Sequence, residues 1–213
     1  MNKILVADDH PLYREALLAA LQLRLSKVKF LESDSLNSVL TTVKKHHNLS
    51  LILLDLSMPG CDNFYGLLKV IETCPNVPIA VISAHDSPST ISQAMAYGAK
   101  AFIPKTTSTD DLVEIVESLL AGKVCLPSYV SNKILDLEED IIDAAKLVSG
   151  LTPKQFKVLC LLRKGLMNKD IASELSVTEA TVKAHIGAIF KHFNVKSRTQ
   201  VLVKIEKVQL AEC

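Results

Sequence analysis

Apolar and polar positions follow two alternating periods over the first 121 residues. Short apolar runs of strand length occur at 3–7 (KILVA), 28–32 (VKFLE), 78–84 (PIAVISA) and 101–104 (AFIP), and one leads into Asp55 within LSLILLDLSMPG at 49–60. Between them apolar residues recur at helical spacing. Leu12, Ala16, Leu17, Ala20 and Leu21 follow Pro11, and Leu36, Val39, Leu40 and Val43 share one face of 35–46. Further helices are expected around 63–73, over 88–97 up to Gly98, and over 109–121, where Leu112, Ile115, Val116 and Leu119 point inward before Gly122. An apolar run such as the one before Asp55 suits a strand buried on both faces. Five strands alternating with five helices predict an α/β, doubly wound, five-stranded parallel sheet. Right-handed crossovers gather the carboxyl ends of its strands along one edge, where open α/β sheets bind ligands.

From residue 151 onward the pattern is helical. Thr152-Pro153-Lys154-Gln155 is a helix start, with Phe156, Val158, Leu159, Leu161 and Leu162 as the core face and Gly165 as the stop. Asn168 is expected to cap a short helix with Ile171, Ala172 and Leu175 inward. Ser176-Val177 makes a turn, and Thr178 caps a third helix to about Phe193. A last helix covers roughly 197–209. A short helix, a tight turn and a longer amphipathic helix make a helix-turn-helix within a small all-α, four-helix domain. The expected organisation is a domain at 1–121, a partly helical linker at 122–147 and a second domain at 148–213. In the linker, Ile134, Leu135, Leu137, Ile141 and Ile142 suggest an amphipathic helix that covers one domain or meets a second copy.

Charge sharpens that division. The formal net charge of +1 hides −5 over residues 1–150 and +6 over 151–213, so the two parts suit different partners, the basic one nucleic acid. No apolar stretch is long enough to span a membrane, and acids follow the first apolar run directly, unlike a signal peptide. A cytoplasmic protein with no membrane partner is expected. The five cysteines form no CxxC and no metal-ligand spacing, which predicts reduced, structural thiols.

Candidate chemistry collects at the sheet edge. Asp8 and Asp9 follow the first strand, Asp55 ends the third, Ser83 ends the fourth and Lys105 follows the fifth. Taken singly, the acids suit a helix N-terminus or a turn, Ser83 a turn and Lys105 a solvated surface. Together they suit metal-assisted phosphoryl acceptance. Clustered carboxylates need a cation, and all-oxygen ligation favours Mg²⁺. Lys105 suits a phosphoryl oxygen, Ser83 can donate to another, and an already ionised Asp is itself a nucleophile. On the third helix of the second domain, Val182, Ile186, Ile189 and Phe193 form the buried stripe. Lys183, Ala184, Gly187, Lys191 and His192 are left outward, and such a face fits a DNA major groove. Lys169, Lys196 and Arg198 flank it as candidates to grip phosphates.

Residues 1–121 resemble the receiver domain of two-component response regulators through DDH (8–10), LLDLSMPG (53–60), SAH (83–85) and GAKAFIPK (98–105). The resemblance implies that Asp55 takes a phosphoryl group from a partner histidine kinase. It implies Mg²⁺ held by Asp9, Asp55 and the Ser57 carbonyl, with Asp8 acting largely through water, and a phosphoryl group bound by Ser83 and Lys105. Phe102 matches the aromatic switch position, whose ring turns inward when Ser83 moves to the phosphate. One stretch departs from the pattern: Cys61-Asp62-Asn63-Phe64-Tyr65-Gly66. There Asn63 is expected to keep a left-handed turn, and Phe64 and Tyr65 to shield the phosphoryl group or mark a partner surface.

The C-terminal part resembles LuxR-type DNA-binding domains through LTPKQFKVL and GLMNKDIASELSVTEATVKAHIGAIFKHFNVKSRTQ, and the whole chain is similar to NarL/FixJ-type response regulators. That implies a homodimer on double-stranded promoter DNA, with the last helix at the protein interface and RNA polymerase as a further partner. Lys183 and Ala184 fall at base-facing positions, Gly187 one turn later, and Thr178 and Thr181 at the start of the recognition helix. With Gly187 short, more weight falls on phosphate contacts and DNA shape. It also implies that the unphosphorylated receiver blocks the DNA-binding domain. Three rivals stand against this reading. A flavodoxin-like enzyme would want a Gly-rich phosphate loop after the first strand, and DDHPLYRE has none. A haloacid-dehalogenase-like phosphatase would want an acid at position 57, which is Ser. A constitutive DNA binder would use the receiver only as an interaction module.

Overall fold

The structure, a computed structural model, describes residues 2–61, 64–125 and 139–206. Contacts divide the chain into two units, Met1–Leu137 and Glu138–Cys213.

In the first unit the strands are β1 (Asn2–Ala7), β2 (Val28–Ser33), β3 (Leu51–Asp55), β4 (Ile79–Ser83) and β5 (Ala101–Pro104). Helices α1 (Pro11–Arg24), α2 (Leu36–Lys45), α3 (Phe64–Thr73), α4 (Pro88–Ala96) and α5 (Thr109–Leu120) connect or follow them. The sheet is parallel throughout, in the order β2-β1-β3-β4-β5. Chain order reverses between β1 and β3, and that reversal places a crevice beyond their carboxyl ends. β3 and β4 are buried at every position, as their unbroken apolar runs require. One face of the sheet gives Ile4, Val6, Leu51, Leu53, Ala80, Ile82 and Ile103 to a core shared with α1 and α5. The alternate residues Leu5, Ile52, Leu54, Val81 and Phe102 are buried as well.

Side chains start the helices where the sequence puts Ser. Ser35, Ser87 and Ser108 each accept a hydrogen bond from the backbone N–H three residues on. After α5 the chain turns back along the sheet, where the Cys125 N–H donates to the Lys100 carbonyl at 2.9 Å beside β5.

The second unit holds α6 (Glu139–Ser149), α7 (Pro153–Arg163), α8 (Asn168–Glu174), α9 (Glu179–His192) and α10 (Arg198–Ile205). α6 buries Ala144, Ala145 and Val148, so the boundary expected at 147/148 falls inside a helix of this unit. The acidic run that reads as linker is also what a helix N-terminus accepts. The expected roles of Ile134, Leu135 and Leu137 and of the side chains of Ile141 and Ile142, and the expected helix beyond 206, lie outside the described residues.

Thr152 and Gln155 form the expected capping box on α7. The cap expected at Asn168 is one residue off. Asn168 is already helical, and the α8 N-terminus is closed by Asp170, whose carboxylate accepts from the Met167 N–H at 3.2 Å. Ser176 turns the chain between α8 and α9 with φ +52°. Phe156, Ile171, Val182, Ile189, Phe193, Val201 and Ile205 make a fully buried core. Cys61, Cys74 and Cys125 are free thiols, as expected of them.

Candidate functional site

The reversal crevice gathers every acid expected there. Asp8 follows β1 directly, with its N–H held by the Ser33 carbonyl at 3.1 Å, and its side chain is 1% exposed. Asp55 ends β3 and is wholly buried. Asp9 keeps 30% of its side-chain surface open. Asp8, Asp9, His10 and Asp55 each bring one potential ligand atom into a group spanning no more than 4.8 Å.

One cation is shared between the two most buried carboxylates. Lys105 Nζ lies 2.8 Å from Asp8 Oδ2 and 3.0 Å from Asp55 Oδ2. Burial works to lower the Lys105 pKa, but its bonds to the two carboxylates outweigh it and raise the pKa above the usual lysine value. Tyr13 of α1 lies beneath the ammonium, 4.8 Å from ring centre to Nζ, and burial raises its phenol pKa. Asp8 Oδ1 accepts the His10 N–H at 2.8 Å, and His10 Nδ1 stands 3.2 Å from that oxygen and 3.0 Å from Asp9 Oδ1. Arg14 donates to the Asp8 carbonyl and pairs with Glu32 at 2.9 Å. His10, Tyr13 and Arg14 are thus members of the site beyond the expected set. The signal for them is their place around Pro11: His10 caps α1, and Tyr13 and Arg14 lie in its first turn, at the crevice end of the helix.

Ser57 donates its N–H to Asp55 Oδ1 at 3.1 Å, so both Asp55 oxygens are engaged. Gly60 closes the loop behind Ser57 with φ +85°, a conformation that suits glycine. Ser83 is buried at the end of β4, and its hydroxyl accepts the His85 N–H at 3.0 Å. The Ser83 carbonyl accepts the Lys105 N–H at 2.9 Å, tying the ends of β4 and β5 together. Phe102 is 1% exposed, so its ring is already inward while the Ser83 hydroxyl is engaged with the loop. Phe64 and Tyr65 do not form a partner surface. They are 4% and 1% exposed, and Phe64 packs edge-on at 5.2 Å against Tyr97, the residue that ends α4. Asn63 lies outside the described residues.

Three carboxylates, two of them buried, face one lysine. That excess of negative charge and the three carboxylate groups, with the exposed His10 ring at the rim, fit a hard divalent cation such as Mg²⁺.

In the second unit α9 packs on α7 and α8 through Val182, Ile189 and Phe193, with Ile186 half-buried. Lys183, Ala184, Gly187 and Lys191 are exposed on its other face, and Lys169 and Lys196 are exposed nearby. Lys183 pairs with Glu179 at 3.0 Å. Thr178 caps α9 by accepting the Thr181 N–H, and the two threonine hydroxyls lie 2.9 Å apart.

Two expected outward residues also bond within the unit. Arg198 donates to the Leu166 carbonyl at 2.7 Å and the Leu162 carbonyl at 2.6 Å, beside the C-terminal end of α7, which engages two of its five N–H groups. His192 Nε2 bonds the Leu147 carbonyl at 2.8 Å. Its ring lies so close to Gly150 that a Cβ there would meet it at 2.6 Å. Neither role is visible in the sequence, because each partner is a backbone carbonyl more than 30 residues away.

Residues 4–117 match the family described as response regulator receiver domain, and 149–205 match bacterial regulatory proteins of the luxR family. The chain is 37% identical over 208 residues to the glycerol metabolism activator of Pseudomonas putida, covering 95% of this chain and 94% of that one. It is 27% identical over 208 residues to the nitrate/nitrite response regulator NarL of Escherichia coli, covering 97% and 96%. The solved complex of the response regulator RcsB with DNA shares its fold at a TM-score of 0.57 and 23% identity, covering 98% of this chain and all of that one. The receiver domain of NarL from Mycobacterium tuberculosis does so at 0.52 and 31%, covering 57% of this chain and 98% of that one. The chain belongs to the two-component response regulators that carry a receiver domain ahead of a LuxR-type DNA-binding domain.

Proposed function

We propose that this regulator is switched by transfer of a phosphoryl group from a histidine kinase to Asp55, and that the switch controls its grip on promoter DNA. The burial of Asp55 against Lys105, Asp8 and Asp9 carries the reading. An Asp55 oxygen attacks the phosphorus of a phosphohistidine, the P–N bond breaks, and its electron pair stays on the departing imidazole. Asp8, Asp9, Asp55 and the Ser57 carbonyl would hold Mg²⁺, which supplies positive charge against the transferring group when bound. Lys105 exchanges a carboxylate oxygen for a phosphoryl oxygen, and Ser83 gives up the His85 amide to donate to another. Phe102 would serve as the aromatic switch that accompanies that movement, from a ring that is already inward. The same chemistry lets the receiver phosphorylate itself from a small phosphodonor and lose the group slowly to water.

On the DNA side, α9 would enter the major groove with Lys183, Ala184 and Gly187 toward the bases. Lys169, Thr178, Thr181, Lys191 and Lys196 would face phosphates. The protein acts in the cytoplasm as a homodimer on its operator, with RNA polymerase as a further partner. Before phosphorylation the receiver restrains the DNA-binding unit.

Intact mass after incubation with acetyl phosphate and Mg²⁺ tests the first step. One phosphoryl group is expected on the wild type and none on Asp55→Ala. A wild type that gains nothing, or a variant that gains as much, overturns the proposal.

A further inference from the structure

Lys105 rests on three groups, and only two of them are charged: Asp8 Oδ2, Asp55 Oδ2 and the face of the Tyr13 ring. The two carboxylates are the groups that must change partners during phosphoryl transfer. Asp55 becomes an acyl phosphate, and Asp8 belongs to the group that fits a divalent cation. A lysine ammonium on a four-carbon stem has many rotamers open to it once its ion pairs are released. The Tyr13 ring does not take part in that exchange. It is packed against the sheet core on α1, and its ring face attracts a cation whatever the state of the carboxylates.

We propose that Tyr13 is a positioning residue for phosphoryl transfer, its ring face keeping the Lys105 ammonium over Asp55 while the carboxylates exchange partners. The proposal deepens the reading of Asp55 as phosphoacceptor and rests on it. No proton moves in this step. The Asp55 oxygen–phosphorus bond forms as the donor's bond to phosphorus breaks, and Lys105 stays an ammonium throughout. The ring, not the hydroxyl, does the holding, so Phe should replace Tyr and an aliphatic side chain of similar bulk should not.

The test follows phosphorylation of the full-length protein by acetyl phosphate with Mg²⁺, read by intact mass over time. Tyr13→Phe, Tyr13→Leu and Tyr13→Met are each compared in the Lys105 and Lys105→Gln backgrounds. Tyr13→Leu and Tyr13→Met should slow the reaction about tenfold, the scale of one partly desolvated cation–π contact. Tyr13→Phe should keep most of the rate. In the Lys105→Gln background the aliphatic variants should slow it no further, since the contact is already absent.

Equal slowing in both backgrounds, as general damage to packing would give, overturns the proposal. So does an aliphatic variant as fast as the wild type, and the Met variant supplies the answer if Leu fails to fold. A wild type that takes no phosphoryl group overturns the Asp55 reading and this inference with it. A phosphorylated wild type that is indifferent to Tyr13 overturns this inference alone.

Discussion

The two units place their working residues in opposite environments. In the receiver, Asp8, Asp55 and Ser83 are almost wholly buried, and each is bonded to Lys105, the two carboxylates to its ammonium and the Ser83 carbonyl to its backbone N–H. In the DNA-binding unit, Lys183, Ala184, Gly187 and Lys191 of α9, and Lys196 between α9 and α10, stand exposed to solvent. A buried charge is costly unless paired, so a chain that sets two carboxylates at the carboxyl ends of apolar strands must also supply a cation. An exposed face has no such demand on it. Its residues are cheap to keep and cheap to change, and their worth appears only against DNA. The receiver therefore does chemistry with a few indispensable groups, whereas the second unit binds by the sum of many replaceable ones.

The largest effect that separates the units is expected at alkaline pH. Four groups with raised pKa values, Tyr13, Cys74, Tyr97 and Lys105, lie in the receiver. Burial pushes the Cys74 thiol from its usual 9.0 to about 11 and the Tyr97 phenol from 10.0 to about 12. Both groups are acids that folding keeps neutral. Their contribution is fully present below the unfolded pKa and is lost as pH climbs to the folded one, between 9 and 11 for Cys74 and between 10 and 12 for Tyr97. Lys105 has the same sign, because its raised pKa reflects ion pairs that vanish when the ammonium loses its proton. Calorimetry from pH 7 upward should show the receiver transition falling steeply above about pH 9. Cys74→Ala should flatten the first part of that fall. Equal slopes in wild type and variant would remove Cys74 from the account.

The same contrast decides what the sequence shows. The parallel sheet and the acid cluster are legible because each rests on a local rule. Apolar runs mark two-faced burial, and Asp8, Asp9, Asp55, Ser83 and Lys105 each stand at the end of a run. Caps at Thr152 and Thr178 are legible for a like reason, since their partners lie three residues away. What is missed depends on contacts between distant residues. The bonds of Arg198 to Leu162 and Leu166 are not visible in the sequence, nor is that of His192 to Leu147, although His192 stays exposed as expected. Phe64 and Tyr65 look exceptional only beside the usual pattern of the loop, and Tyr97, which gives Phe64 its place in the core, is over 30 residues away. The start of α6 is hidden because acids favour linkers and helix N-termini alike.

Arg198 and Lys196 offer a sharper cut within the second unit. Arg198→Ala removes two charge-assisted bonds, from the Leu162 carbonyl, which keeps the Gly165 N–H, and from the Leu166 carbonyl beyond α7, so the unit should lose about 2 kcal/mol of stability. Lys196 is exposed, and only its backbone N–H is tied down, to Gln200 at 2.8 Å. Lys196→Ala should leave the melting temperature within about a degree or two, as surface substitutions usually do. It should also lower the slope of log affinity for DNA against log salt by about one. Urea titration and salt-dependent DNA binding, run on both variants, check this. If Arg198→Ala keeps its stability and loses salt dependence instead, Arg198 returns to the DNA-facing set.

The smallest expected effect concerns Gly187, and there the units differ most plainly. A glycine in the middle of a helix weakens it, and a Cβ at Gly187 would meet nothing within 4 Å. Gly187→Ala should therefore stabilise the DNA-binding unit by up to about 1 kcal/mol, from helix propensity alone. In the crowded receiver crevice an added methyl has no such free space to enter. The effect on DNA then reports what occupies the space beyond α9. If the groove leaves a gap at Gly187, as sparse base readout implies, affinity for the operator should be unchanged while the melting temperature rises. If the backbone at Gly187 sits directly against a base edge, the methyl should weaken operator binding and leave nonspecific binding intact. Measuring both affinities for the one variant separates a helix held open for close approach from a helix that touches the bases lightly.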